Sequence, residues 1–242
     1  MSVRELTYSN WRQFKGELLF DLFGADAFRP DVYLFRGQRD HAWPLETSFD
    51  RWFRVVHGAT GNRVEVAKRL LTAFKREAVR HGLVEEDGSE VEMMALARHY
   101  GLPTRLLDWS LSPYVAAFFA LNEAVVNGNA TGIAAVWALD TRVDIWTPDL
   151  GVEIVATSAV DNPRLRNQRG RFTWSRTPFP TLEEYAQRAQ PSSPALVKAS
   201  LPVIEAATAL ADLDSMGINH ASTYPELIGC ALAAQARILL ER

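Results

Sequence analysis

The sequence predicts an α+β fold: one domain with a mixed or antiparallel central sheet and a helical N-terminal half packed against it. Three observations carry this. Helical periodicity dominates residues 9–100, with one short strand interposed. Short apolar runs bounded by turn residues crowd residues 104–202. The Pro- and Gly-bearing loops near 58–62, 127–132, 147–151 and 190–195 are too short to force a domain boundary. The 242 residues are therefore read as a single domain, 1–242.

The elements follow in order. SNWRQFKGELLFDLF (9–23) is amphipathic at helical spacing, with Ser9 as candidate N-cap. VYLF is a short strand aimed at the interior, yet it ends on the polar Arg36-Gly37-Gln38. Residues 62–81 gather Val66, Leu70, Leu71, Phe74 and Val79 roughly on one helical face. SEVE (89–92) has the capping-box form and opens a helix to about Tyr100. TRLLDW (104–109) is a strand, and Ser112-Pro113 starts the next helix with a cap and a first-turn proline. GIAAVWALD (132–140) is a buried strand, followed by strands near 152–158, 172–175 and 196–202. Helices at 181–184 onward, about 203–214 and about 224–240 complete the chain.

Composition narrows the function classes. A net charge of −3 and an apolar fraction of 48% describe an ordinary globular chain with no global pull toward nucleic acid or an acidic membrane. The lone cysteine, Cys230, allows neither an intramolecular disulfide nor a cysteine-rich metal site. It sits in an apolar helical stretch and reads as core rather than nucleophile. The histidines at 41, 57, 81, 99 and 220 lack metal-ligand spacing, so no metal is expected. The apolar runs YVAAFFAL and GIAAVWAL are far short of the roughly 20 residues that span a bilayer. No apolar leader precedes the first helix, and the expectation is a cytoplasmic protein.

Four clusters hold more polarity than a core requires. RGQRD (36–40) puts a fixed guanidinium fork beside a glycine that lets backbone approach a ligand. The block 97–120 carries His99, Tyr100, Thr104, Arg105, Asp108, Trp109, Ser110 and Ser112, at a strand-to-helix junction able to hold an anion. NPRLRNQRGRF (162–172) has four arginines around Gln168. STYPELIGC (222–230) contains Thr223-x-x-Glu226, itself a capping box. Bland roles compete at each: Arg36 or Arg105 pairing with Asp108, Ser112 as a cap, His99 at a helix end, and Glu226 as a cap partner. P-loop, GxGxxG, GxSxG and HExxH patterns are missing.

FRGQ, then HYGLPTRLLDWSLSPYVAAFFA, then NQRGRF, then TYPELIG resembles the FRG domain family, over about residues 31–235. Two departures are Arg98 before His99, where the family often has Gln, and Glu226, where Asp is usual. A weaker resemblance, to the arginine–serine–glutamate class of ADP-ribosyltransferases, rests on Arg36, on Ser110-Leu111-Ser112, and on the helix face Val115, Ala116, Phe119, Ala120. It implies an ADP-ribosyltransferase-like sheet, NAD as substrate, and Arg36, Ser110 and Glu226 as the catalytic set. Gln38, His99, Tyr100, Thr104, Arg105, Asp108 and Gln168 would then bind the dinucleotide. Glu153, on a predicted strand, is the other candidate acid. The family's settings imply a toxin or phage-defence effector with a protein or nucleic-acid target and an inhibitory partner. A non-catalytic nucleotide- or nucleic-acid-binding module, with Tyr100, Trp109, Phe172 and Trp174 stacking bases, stands as the alternative.

Overall fold

A computed structural model describes residues 2–26, 28–58, 60–85, 87–126, 131–156, 170–224 and 227–240. In chain order the elements are β1 (Val3–Thr7), α1 (Trp11–Phe23), β2 (Tyr33–Gln38), α2 (Ser48–His57), α3 (Arg63–Arg80), α4 (Glu90–His99), β3 (Leu106–Trp109) and α5 (Pro113–Val126). Then come β4 (Ile133–Asp140), β5 (Val152–Val155), β6 (Arg171–Ser175), α6 (Leu182–Ala189), β7 (Leu196–Pro202), α7 (Ala206–Ser215), α8 (His220–Thr223) and α9 (Leu227–Leu240). The class is α+β, as predicted.

The expected single sheet is two sheets. One is mixed, in the order β1-β7-β4-β2, with only β1 and β7 parallel. The other is antiparallel, in the order β3-β6-β5. They meet at one bridge, where Phe35 and Ser110 exchange N–H···O bonds of 2.7 Å in both directions. Strand β1 went unpredicted because VRELT has no apolar alternation, and its partner β7 lies at the far end of the chain. Helix α2 also went unpredicted; its cap is Thr47, whose hydroxyl accepts from the Asp50 N–H.

Strand β4 shows why the core lies on both faces of the mixed sheet. Ala134, Val136 and Ala138 face a core built with α1, α5 and α7. Ala135, Trp137 and Leu139 face a second core with Leu107, Trp109 and α6. An apolar residue at every position from Ala134 to Leu139 is what a strand covered on both sides needs. Strand β2 alternates likewise: Phe35 faces the α5 side, while Leu34 faces the second core. Gly37 shares the side of Phe35, and a Cβ there would lie 1.9 Å from the Ala116 carbonyl oxygen. Only glycine permits β2 and α5 to pack this closely.

Several caps differ from expectation by small shifts. Asn10, not Ser9, caps α1, its side chain accepting from the Gln13 N–H. Helix α4 starts where predicted, but Ser89 makes no side-chain cap bond. Ser112 accepts from the Val115 N–H at 3.4 Å, and Thr181 accepts from the Glu184 N–H at 3.2 Å, as their positions predict. Thr223 closes α8, donating to the Asn219 carbonyl, and the reciprocal box there is Asn219 with Ser222. Cys230 is exposed rather than core. Among the described residues no helix is long and apolar enough to cross a membrane.

Candidate functional site

Antiparallel register beyond the Phe35–Ser110 bridge would set Gly37 opposite Asp108, but pairing stops after that bridge. The two sheets part there, and a cleft of about 470 Å³ opens between β2, α4, β3, β6, α5 and Tyr224. Arg36 crosses its base. Its Nη1 donates to the Asp108 carbonyl oxygen at 3.1 Å and to the Asp108 carboxylate at 3.3 Å. The side chain thus replaces the missing ladder bonds.

Asp108 is shared. The same carboxylate oxygen accepts from Arg98 Nη2 on α4. Arg98 Nη1 also donates to Ser48 Oγ at 3.3 Å, which ties α4 to the start of α2. Burial opposes the charge on Asp108, but Arg98 and then Arg36 outweigh it and hold the carboxyl below its ordinary value. Burial pulls the Arg36 guanidinium down, and Asp108 only partly restores it. Two guanidiniums on one carboxylate leave this trio with one more positive than negative charge, Glu123 not counted. The Nε–H of Arg36 is buried with no protein partner. An orphaned charged donor at a cleft is a place for a ligand oxygen.

Ser110 sits at the bridge, and its Oγ accepts from the Ser112 N–H at 3.1 Å, fixing the turn into α5. His99 ends α4 on the cleft wall, its ring edge-on to Tyr100 at 5.2 Å. Aromatic surface comes from Trp109, Phe119, Phe172 and Tyr224. Tyr224 is stacked on His220 at 6.4 Å and edge-on to Phe119 at 6.0 Å. Glu123 supplies a second carboxylate to the lining.

Of the residues expected to act together, Arg36, His99, Asp108 and Ser110 meet in this cleft. The others do not. Gln38 is buried, donating to the Pro44 carbonyl at 3.0 Å and accepting from Trp137 Nε1 at 2.7 Å, so both ends of its amide are in use. Tyr100 is 73% exposed and off the cleft. Thr104 and Arg105 are buried elsewhere, with Arg105 against Asp50 at 3.6 Å rather than against Asp108. Glu153 pairs with Arg176 at 2.5 Å and does not line the cleft. Gln168 and Glu226, with most of the arginine-rich 162–172 segment, lie outside the described residues.

Arg98 and Glu123 were missed as site residues. Arg98 had been noted only as a departure from a family pattern. Glu123 is the one charged residue in PYVAAFFALNEAVV, and it stands four residues after Phe119 and seven after Ala116. That spacing puts all three on one helical face, which was the available signal.

Comparison with family models matches residues 31–128 to the FRG domain. No curated protein and no solved structure matches the chain.

Proposed function

We propose that the cleft takes NAD and transfers the ADP-ribosyl group; residues 31–128 match the FRG domain, and the chemistry is proposed from the side chains that line the cleft. The observation that carries this reading is the meeting of Arg36, Arg98, Ser110, Glu123 and the aromatic side chains Trp109, Phe119, Phe172 and Tyr224 in one cleft. The volume, about 470 Å³, is within the roughly 300–1,000 Å³ usual for small-molecule sites. Arg36 offers its free Nε–H, and Arg98 adds a second guanidinium, which suits a pyrophosphate. Phe119, Phe172 and Tyr224 offer flat apolar surface for the rings of a dinucleotide.

In the proposed reaction the bond from ribose C1′ to the nicotinamide nitrogen breaks. Nicotinamide leaves neutral with the electron pair, and an acceptor nucleophile bonds to C1′ and gives up its proton. Positive charge develops on the ribose, so a carboxylate is needed beside it. The described lining has two acids, Asp108 and Glu123. We assign the role to Glu123, which shares a helical face with Phe119 and Ala116 on the cleft wall. Such chemistry suits the toxin or phage-defence setting, with a partner holding it in check.

The test is nicotinamide release and label transfer from radiolabelled NAD, alone and with cell lysate. Glu123→Gln should bind NAD yet lose about 100-fold or more in rate. Arg36→Lys, which keeps the charge but not the fork, should weaken NAD binding. NAD bound by the wild-type chain without any release would support the nucleotide-binding module instead. The absence of both binding and release at millimolar NAD sinks the reading.

A further inference from the structure

A second pocket, of about 240 Å³, lies away from the cleft, between α3, α4, the 102–105 segment and the end of β6. Its lining is largely apolar: Val64, Ala67, Leu71, Met94, Leu102 and Trp174. Lys68, Glu90, Thr104, Arg105, Ser175 and Arg176 make up its polar part, and of these Thr104 and Arg105 are only 4% and 3% exposed. Both have an orphan. Thr104 Oγ1 and Arg105 Nε are buried without a hydrogen-bond partner.

Both terminal nitrogens of Arg105 are engaged. Its Nη1 donates to the Thr177 carbonyl at 2.6 Å, and its Nη2 to Ser175 Oγ at 3.3 Å and the Phe179 carbonyl at 3.2 Å. The guanidinium is therefore held in place while its Nε–H has no partner. Charge balance gives a second, independent indication. Asp50, 1% exposed, lies 3.2 Å from Arg63 and 3.6 Å from Arg105. Its other oxygen accepts from Thr47 at 2.6 Å. One carboxylate serves two guanidiniums, so this cluster also has a positive charge in excess. The cost of burial on Arg105 is only partly offset by Asp50.

We propose that this pocket binds a small monocarboxylate with an apolar body. Two unpartnered groups able to donate, on residues that both line the pocket, call for an acceptor, and the unbalanced guanidinium calls for an anion. The lining calls for a hydrocarbon portion beside it. A phosphate would bring a second charge and no apolar surface. The volume is below the usual range for drug-sized ligands, so the ligand is of fragment size. Arg105 leads directly into β3, which carries Asp108 to the cleft, but the site stands independently of any chemistry there.

The experiment titrates the full chain with hexanoate, using hexan-1-ol as the neutral match, and follows the Met94 methyl resonance. Hexanoate should give a saturable shift, with hexanol at least about tenfold weaker. Ala67→Phe, which fills the pocket, should abolish the shift. Thr104→Val should weaken hexanoate about tenfold while leaving the melting temperature unchanged or raised, since it removes an unpaired buried hydroxyl. No saturable shift at millimolar hexanoate, equal affinity for hexanol, or a shift that survives Ala67→Phe each overturns the proposal. NAD plays no part in this readout, so its failure and that of the transferase reading are separate results.

Discussion

Gly37→Ala is the sharpest test of how the cleft is held open. The added Cβ would meet the Ala116 carbonyl oxygen at 1.9 Å and the Ala120 amide nitrogen at 2.8 Å. Real Cβ contacts essentially never fall below 3.0 Å, so β2 and α5 must separate by about 1 Å. Both obstacles are backbone, one on each of two successive turns of a helix buried against the sheet, so no side chain can swing away. Overpacking typically costs about 1–3 kcal/mol, and a clash with backbone belongs at or above the top of that range. For a chain of this size about 3 kcal/mol lowers the melting temperature by roughly 6–12 °C. Thermal unfolding followed by circular dichroism gives the shift, and urea titration gives the free energy. Arg36 is the next residue, so ligand binding in the cleft should fall with it. A melting temperature unchanged within about 2 °C would refute the close-packing argument and the account of why glycine follows Arg36.

Two pH effects follow from buried groups. Asp108 is held below its ordinary value near 3.8, so its contribution is present above that pH and is lost as pH falls through the folded value. Asp108→Asn should flatten the acid limb of the stability curve and lower stability at neutral pH. The loss should be smaller than the roughly 3–5 kcal/mol of breaking a fully buried pair, because the Asp108 side chain is 42% exposed. An acid limb identical to wild type would contradict the shared ion pair. His220 is buried, 5.1 Å from the Phe118 ring and stacked on Tyr224, and burial depresses its pKa. The unfolded chain therefore binds the extra proton first, and stability should fall as pH drops below about 6.5. His220→Phe keeps the aromatic contacts and should remove that slope, as urea unfolding between neutral and mildly acidic pH would show.

Much of the fold was readable because its signals are local. A hydroxyl before a helix, as at Ser112 and Thr181, declares a start through bonds spanning two or three residues. The uninterrupted apolar run of β4 declared a strand covered on both faces. The candidate site was legible only in part. Period-2 alternation separates Leu34, Arg36 and Gln38 from Phe35 and Gly37, but it does not say which of the first three reaches a cleft. Gln38 goes to Trp137, and Arg36 goes to Asp108. Arg105 and Asp108 are three residues apart yet serve different pockets.

By itself the sequence determined the α+β class, the positions of most helices and strands, and the FRG signature, all of which rest on residue type at short spacing. Only the tertiary structure decided that the strands form two sheets, that they part beyond Phe35 and Ser110, and that Arg98 shares Asp108 with Arg36. The physical reason is that these outcomes depend on pairings between distant segments. Whether a carboxylate faces one guanidinium or two is set by how α4 and β2 pack against β3, and no spacing along the chain encodes that distance.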